Sequence, residues 1–297
     1  LYGSTHDRVI QQSSYTLQNI FKAYATYKFA LQEKHDFKFM AGFDAETREA
    51  LGHYSERRGL ISLNMPEIAL TTGDQYSSST WGSFHNDFAA AGFFGRINYD
   101  FLQRYLFEFN ARYDGSSRFP QGKKWAFFPS FSAGWRTSEE KFMDWARPSL
   151  SNLKLRASWG TIGNQDVAAN SFISTMAANP SGWVIGGKEI TSLGTPSVIS
   201  PALTWERVTT FDVGLDAGLL NNELTFTFDW YRRITSNMHT AGEALPATFG
   251  AKVPKVNYGE LTGTGFEVGV NYQHRFNNGL GVSASITFPC NRENYEV

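Results

Sequence analysis

Apolar and polar side chains alternate with a period of two along most of this chain. Between Leu17 and Leu31 the odd positions carry Leu17, Phe21, Ala23, Ala25, Tyr27, Phe29 and Leu31, with Gln18, Lys22, Thr26 and Lys28 between them. Phe37, Phe39, Ala41 and Phe43 share the next face, followed by Phe93, Ile97, Tyr99 and Phe101, and then by Tyr105, Phe107, Phe109, Ala111 and Tyr113. Comparable runs occupy 125–135, 153–159, 211–219, 224–230, 266–272 and 282–288. This period belongs to strands, whose successive side chains point to opposite faces. About ten strands result, each at or above the roughly 9–11 residues that a tilted strand needs to cross a bilayer. Soluble strands average only about 5–6 residues.

The connections carry a second, independent signal. Those after the first, third, seventh and ninth strands are tight: QEKHD, LQR, LNN and FNNG. Asn-Asn and Asn-Gly tolerate the positive φ of short hairpin turns. The connections after the second, fourth, sixth and eighth strands are longer, at 46–86, 114–124, 163–203 and 236–256. In an up-and-down meander, alternate connections lie at the same end. One rim therefore carries turns and the other carries loops, the asymmetry of outer-membrane barrels. On the turn side, TSEEKFMDWARPSLS predicts one short helix near 138–146, capped by Ser138 and stopped by Pro148.

Which solvent meets the apolar face is decided by its length and by its opposite face. A soluble β-sandwich also alternates, but seldom sustains one apolar face for ten or more residues with aromatics at both ends. A lipid-facing band needs that length and is flanked by aromatic girdles. The candidate interface rings are Tyr105, Tyr113, Trp125, Trp135, Trp159 and Trp230, whose amphipathic character suits that boundary. Arg96, Glu108, Arg112, Arg156, Asp212, Asp216 and Asp229 fall on the other face, together with Lys154. Between packed sheets such charges cost several kcal/mol apiece unless paired. In a wet lumen they cost little.

Composition narrows the classes. With 41% hydrophobic and 15% aromatic residues the chain is not disordered. A net charge of −1 with no basic stripe gives no footprint for nucleic acid. The single Cys290 excludes an internal disulfide framework and a CxxC metal site. No apolar run reaches the about 18 residues of a membrane helix. The opening LYGSTHDRVIQQ lacks the pattern of a signal peptide. The six histidines are scattered without HExxH, and GxSxG, P-loop and GxGxxG motifs are absent, so neither a catalytic nor a metal site is expected, nor any cofactor.

With the strands placed, FGRINYDFLQRYLFEFNARYDGSSRFPQGKKWAFFPSFSAGWRTSEEKFM resembles the SusC-like TonB-dependent outer-membrane transporters. LKLRASWGTIGNQ at 153–165, PALTWERVTTFDVGLDAGLLNNELTFTFDWYRR at 201–233 and NYGELTGTGFEVGVNYQ at 257–273 extend the resemblance over about half of the chain. It implies an all-β, antiparallel up-and-down transmembrane barrel of 22 strands, the size known for plugged outer-membrane transporters. Residues 1–297 would then be a partial slice of that barrel, with neither plug domain nor signal peptide. The resemblance further implies outer-membrane location, contact with membrane lipid, a SusD-like surface lipoprotein and the TonB complex as partners, and energised import of oligosaccharides or peptides. Two rivals stay open at this stage. One is a small passive outer-membrane channel or adhesin; the other is a soluble lectin-like β-sandwich.

Candidate site residues follow from these placements. The charged set named above lines a solute path, anchors a plug, or forms a solvated wall of mutually paired charges. Asp114 and Arg118 open a loop on the long-loop side as a contact to substrate or lid; a turn with Arg118 paired to a carboxylate is the structural alternative. Tyr76, Trp81 and Trp183 lie in Gly/Ser-rich loops, where exposed rings stack on sugars or simply pack. Asp74 in the same loop is a lone carboxylate and poor evidence for calcium. At the far end, Pro289 is expected to dissolve the strand pattern in ITFPCNRENYEV.

Overall fold

The computed structural model describes residues 8–62, 64–73, 79–147, 149–200, 203–242, 246, 248, 253–277 and 279–296, leaving aside the side chains of 79–81, 180, 241 and 296. Among the described residues twelve strands form: β1 (Arg8–Leu31), β2 (His35–Arg58), β3 (Ser79–Phe101), β4 (Tyr105–Ser116), β5 (Trp125–Arg136), β6 (Leu150–Asn164), β7 (Ala178–Ile185), β8 (Lys188–Leu193), β9 (Glu206–Leu219), β10 (Leu224–Ala241), β11 (Lys255–Arg275) and β12 (Gly281–Glu296). Ten make one sheet in the order β1-β2-β3-β4-β5-β6-β9-β10-β11-β12. Every neighbour in it is also next along the chain, except where β7 and β8 form a hairpin of their own between β6 and β9. The chain divides into two compact units. One holds Leu1–Phe21 and Ala45–Ala90; the other holds Lys22–Asp44 and Ala91–Val297.

The meander and its asymmetry match the pattern read from the sequence, but the strands overrun the expected loops. β2 continues to Arg58 and β3 starts at Ser79, so the loop expected at 46–86 shrinks to 59–78. β10 and β11 likewise reach Ala241 and Lys255. The reason is physical. Beyond the apolar band both faces of a strand meet water, so the hydrophobic period fades while backbone pairing continues. The hairpin inside the expected loop 163–203 was readable from WVIGGKEI. A Gly-Gly pair sits between β-branched residues there, and Gly186 and Gly187 adopt φ of 62° and 77°.

Tight turns close the other rim. Leu102 and Gln103 both adopt φ 54°, as do Gln32 and Glu33 at 54° and 53°. Left-handed backbone suits Asn and Gly, and a β-carbon there is strained. Replacing Leu102–Gln103 with Asn-Gly should therefore stabilise the β3–β4 hairpin by about 1 kcal/mol. A raised urea midpoint of the refolded intact protein would report it; an unchanged midpoint would count against the strain.

The helix expected near 138–146 is present as two 3₁₀ segments, Thr137–Glu139 and Lys141–Ala146. Ser138 does not cap it: it lies inside the first segment and is buried, and neither segment has a side-chain cap. Pro148 lies outside the described residues. The post that holds this connection is Glu140. Its Oε1 accepts from the Tyr105 hydroxyl at 2.6 Å and from Trp135 Nε1 at 3.2 Å, and Arg104 Nη1 stands 3.6 Å from Oε2. The Tyr105 hydrogen bond first, then that of Trp135 and the Arg104 charge, hold the Glu140 carboxyl below the usual glutamate range. Because the folded value is depressed, the contribution is complete above the unfolded value of about 4.3 and fades as pH falls through the lowered one. Glu140→Gln should flatten that acid limb. Unfolding midpoints followed below about pH 4.3 check it, and an unaltered pH dependence would refute it.

Pro289 does not end the last strand. It sits in register with Glu267, and β12 runs on to Glu296. Gln273 donates its N–H to Glu223 O on the β10 side, so odd residues of β11 face β10 and even ones face β12. Phe266, an even residue, pairs with Cys290, which turns the nitrogen of Pro289 away from β11 toward the open edge. A proline is tolerated there because no donor is asked of it.

Candidate functional site

The register separates the two faces. Tyr105, Phe107, Phe109, Ala111 and Tyr113 pair with Trp135, Ala133, Phe131, Pro129 and Phe127, while Glu108, Asn110 and Arg112 pair with Ser132, Ser130 and Phe128. Rings join laterally on the apolar face. Phe101, Tyr105, Trp135 and Phe142 form a row by the turns, with centroid spacings of 6.1, 6.4 and 6.3 Å. Phe43, Phe93, Trp125 and Tyr113 form another by the loops, at 5.0, 6.3 and 5.1 Å. Tyr105 and Tyr113 are eight residues apart on β4, about 27 Å along the strand. At a tilt of about 40° that leaves about 20 Å along the membrane normal, close to the apolar band of an outer-membrane barrel. Trp159 and Trp230 depart from expectation. Both lie mid-strand, at Phe131 and Phe211 respectively, because β6 and β10 extend further than the apolar period showed.

The polar face gathers its charges into networks. Arg156 reaches Asp216 at 2.9 Å and Asp229 at 2.8 Å, joining β6, β9 and β10. Asp212 pairs in register with Ser158 and Tyr231 on the same face. Arg112 reaches Asp114 at 2.7 Å and Asp44 at 3.1 Å. Arg96 stands 3.8 Å from Glu108, which also accepts from Asn98 and Asn110. Two strand glycines leave the room. A β-carbon on Gly214 would meet Arg156 and Asp229, and one on Gly92 would meet Arg112 and Asp114, all closer than 3.0 Å. Asp114 therefore is not a loop residue as expected; it belongs to β4 and to the Arg112 network. Asp44 escaped sequence reasoning because it lies 68 residues from its partner.

Along this face runs a groove of about 830 Å³ lined by Lys38, Asn98, Glu108, Lys154, Arg156 and Asp212. A second hollow of about 460 Å³ carries Arg112, Asp114, Ser130, Ser158, Gly160 and Thr210. Charged groups over a floor of small residues offer hydrogen bonds to a polar solute without filling its path.

At the loop end the second hollow reaches Phe128, part of a small apolar core that the sequence reading missed. Phe119 is fully buried, with Phe128, Val167, Leu203 and Trp205 around it. Trp205 lies 4.8 Å from Phe119 and 5.5 Å from Phe128, and its Nε1 donates to Lys124 O at 3.0 Å. The available signal was Phe128, a large ring at a polar-face position between Phe127 and Pro129. Arg118 belongs to this knot: it donates to Gln165 O at 3.1 Å and stands 3.7 Å from Asp166. Trp183 projects from β7 with 73% of its surface exposed. Tyr76 and Asp74, and the side chain of Trp81, lie outside the described residues.

Among the described residues, one group has the spacing of metal ligands. Glu49, His85 and Asp87 place their donor atoms within 4.8 Å of one another, and all three are exposed. Because its members come from neighbouring strands, no sequence motif marks it.

The family described as TonB dependent receptor-like, beta-barrel, matches residues 2–296. The chain belongs to that family. It is 36% identical to the TonB-dependent receptor SusC of Bacteroides thetaiotaomicron over 182 residues, 60% of this chain and 18% of that protein. It is 26% identical to TonB-dependent receptor P3 of Formosa agariphila over 277 residues, 93% of this chain and 27% of that one. It superposes on a chain of the RagAB peptide importer with a TM-score of 0.85 and 26% identity, covering 96% of this chain and 30% of that chain. The SusC-like TonB-dependent chain thus spans about a quarter of the length of its curated relatives. Its strands are those of an outer-membrane β-barrel. The lectin-like sandwich is overturned: the ten long strands form one sheet, not two packed ones.

Proposed function

We propose that this chain is the barrel wall of a receptor that imports oligosaccharides or peptides across the outer membrane, and that it performs no chemistry on them. The observation that carries the proposal is the likeness to the peptide importer over 96% of the chain. Passage follows the polar face, where Arg96, Glu108, Arg112, Arg156, Asp216 and Asp229 present a paired, hydrated wall beside Asp212. Fixed and mutually neutralised charges bind a polar solute weakly enough for it to leave. Energy comes from TonB, and a SusD-like surface lipoprotein covers the loop rim. There Trp183 and the knot around Arg118 are the contacts for cargo or lid. Partners on this reading are lipid, lipoprotein, TonB and cargo, with no nucleic acid.

Deletion of the gene encoding the intact receptor should abolish growth on its oligosaccharide or peptide cargo as sole nutrient. Deletion of TonB should do the same. Uptake that persists without TonB would mean a passive channel.

A further inference from the structure

The connection between β5 and β6 carries surface chemistry that the import reading does not use. Its 3₁₀ segment Lys141–Ala146 turns once every three residues, so side chains three apart eclipse one another. Three distinct faces result. Met143 and Ala146 share one and are half-buried against the protein. Lys141 and Asp144 share another, continued by Arg147, whose Nε stands 3.1 Å from Asp144. Phe142 and Trp145 share the third, exposed over 59% and 79% of their surfaces. No other large apolar side chain among the described residues is more exposed than Trp145.

We propose that Phe142 and Trp145 anchor this segment in the phospholipid leaflet at the turn rim. The argument rests on continuity. Phe142 stands 6.3 Å from Trp135 in a T-shaped contact and so extends the ring row of Phe101, Tyr105 and Trp135 on the lipid-facing side of the sheet. The apolar face of the segment therefore prolongs a surface already in contact with acyl chains, one eclipsed turn beyond it. Glu140, clamped by Tyr105 and Trp135, fixes its height. An interfacial helix sets its rings at the boundary of headgroups and acyl chains and its basic residues among the headgroups. Lys141 and Arg147 occupy the matching positions for lipid phosphates. The inference depends on the membrane placement of the strands and is independent of cargo, so loss of import would leave it intact.

The test uses the intact receptor in nanodiscs of dioleoyl phosphatidylcholine and phosphatidylethanolamine, three to one, prepared in parallel with dibrominated acyl chains. The emission of the parent minus that of Trp145→Phe isolates Trp145. Bromine should quench that difference signal by more than half, while aqueous iodide should quench it little. A difference signal untouched by bromine overturns the proposal. In that event, strong iodide quenching would place Trp145 in water, and weak quenching would place it under another protein.

Discussion

Trp205→Ala is expected to cost about 3–5 kcal/mol, the range for truncating a buried aromatic, and to free the loops of the lumenal knot. Trp205 is the hub: it touches Phe119 and Phe128 and ties its indole nitrogen to the backbone of the β4–β5 loop. Phe119 stands in the β4–β5 loop, Phe128 on β5 and Trp205 just before β9, and β-pairing does not join that loop to the residues before β9. Without the indole, Phe119 and Val167 lose their shared partner and the connection 165–205 loses its footing. A lower urea midpoint for the intact receptor in lipid should accompany faster proteolysis within 165–205. Trp205→Phe keeps most of the packing and should cost only about 1 kcal/mol for the lost hydrogen bond. Equal proteolysis of Trp205→Ala and parent would show that the knot does not hold the loops.

Arg156→Ala should be the costliest change on the polar face, about 2 kcal/mol. The guanidinium bridges Asp216 and Asp229, and its removal leaves two carboxylates facing each other across β9 and β10 beside Asp212. All three partners are part-exposed, at 31%, 28% and 26%, so water tempers the loss below that of a sealed ion pair. Adding Asp229→Asn to Arg156→Ala should recover part of the stability, because the repulsion goes with the charge. Strict additivity of the two changes would break the network reading.

Period-two patterning carried the fold because one side of each strand is apolar and the other polar. Where that contrast stops, so did legibility. The outer lengths of β2, β3, β10 and β11 have water on both faces and therefore no alternation to read. That Arg96, Arg112 and Arg156 share the polar face was legible strand by strand from the alternation. Their partners were not, because Asp44 and Asp229 lie 68 and 73 residues away and only the register joins them. Phe128 broke the alternation in plain view. Its meaning depended on Gly163, whose missing side chain admits the ring from the next strand.

Pro289 interrupts the outer edge of β12. Along the rest of the outer edge of β12, alternate residues offer a donor and an acceptor to whatever strand pairs with it. At Pro289 only acceptance is offered. The opposing carbonyl has no donor there, and at bilayer depth a bare carbonyl costs several kcal/mol. The neighbouring strand can avoid that cost by placing a bulge opposite Pro289, and only a limited set of alignments does so. A residue that looks like a defect in the ladder thus acts as a notch, rejecting slipped pairings that a uniform edge would accept.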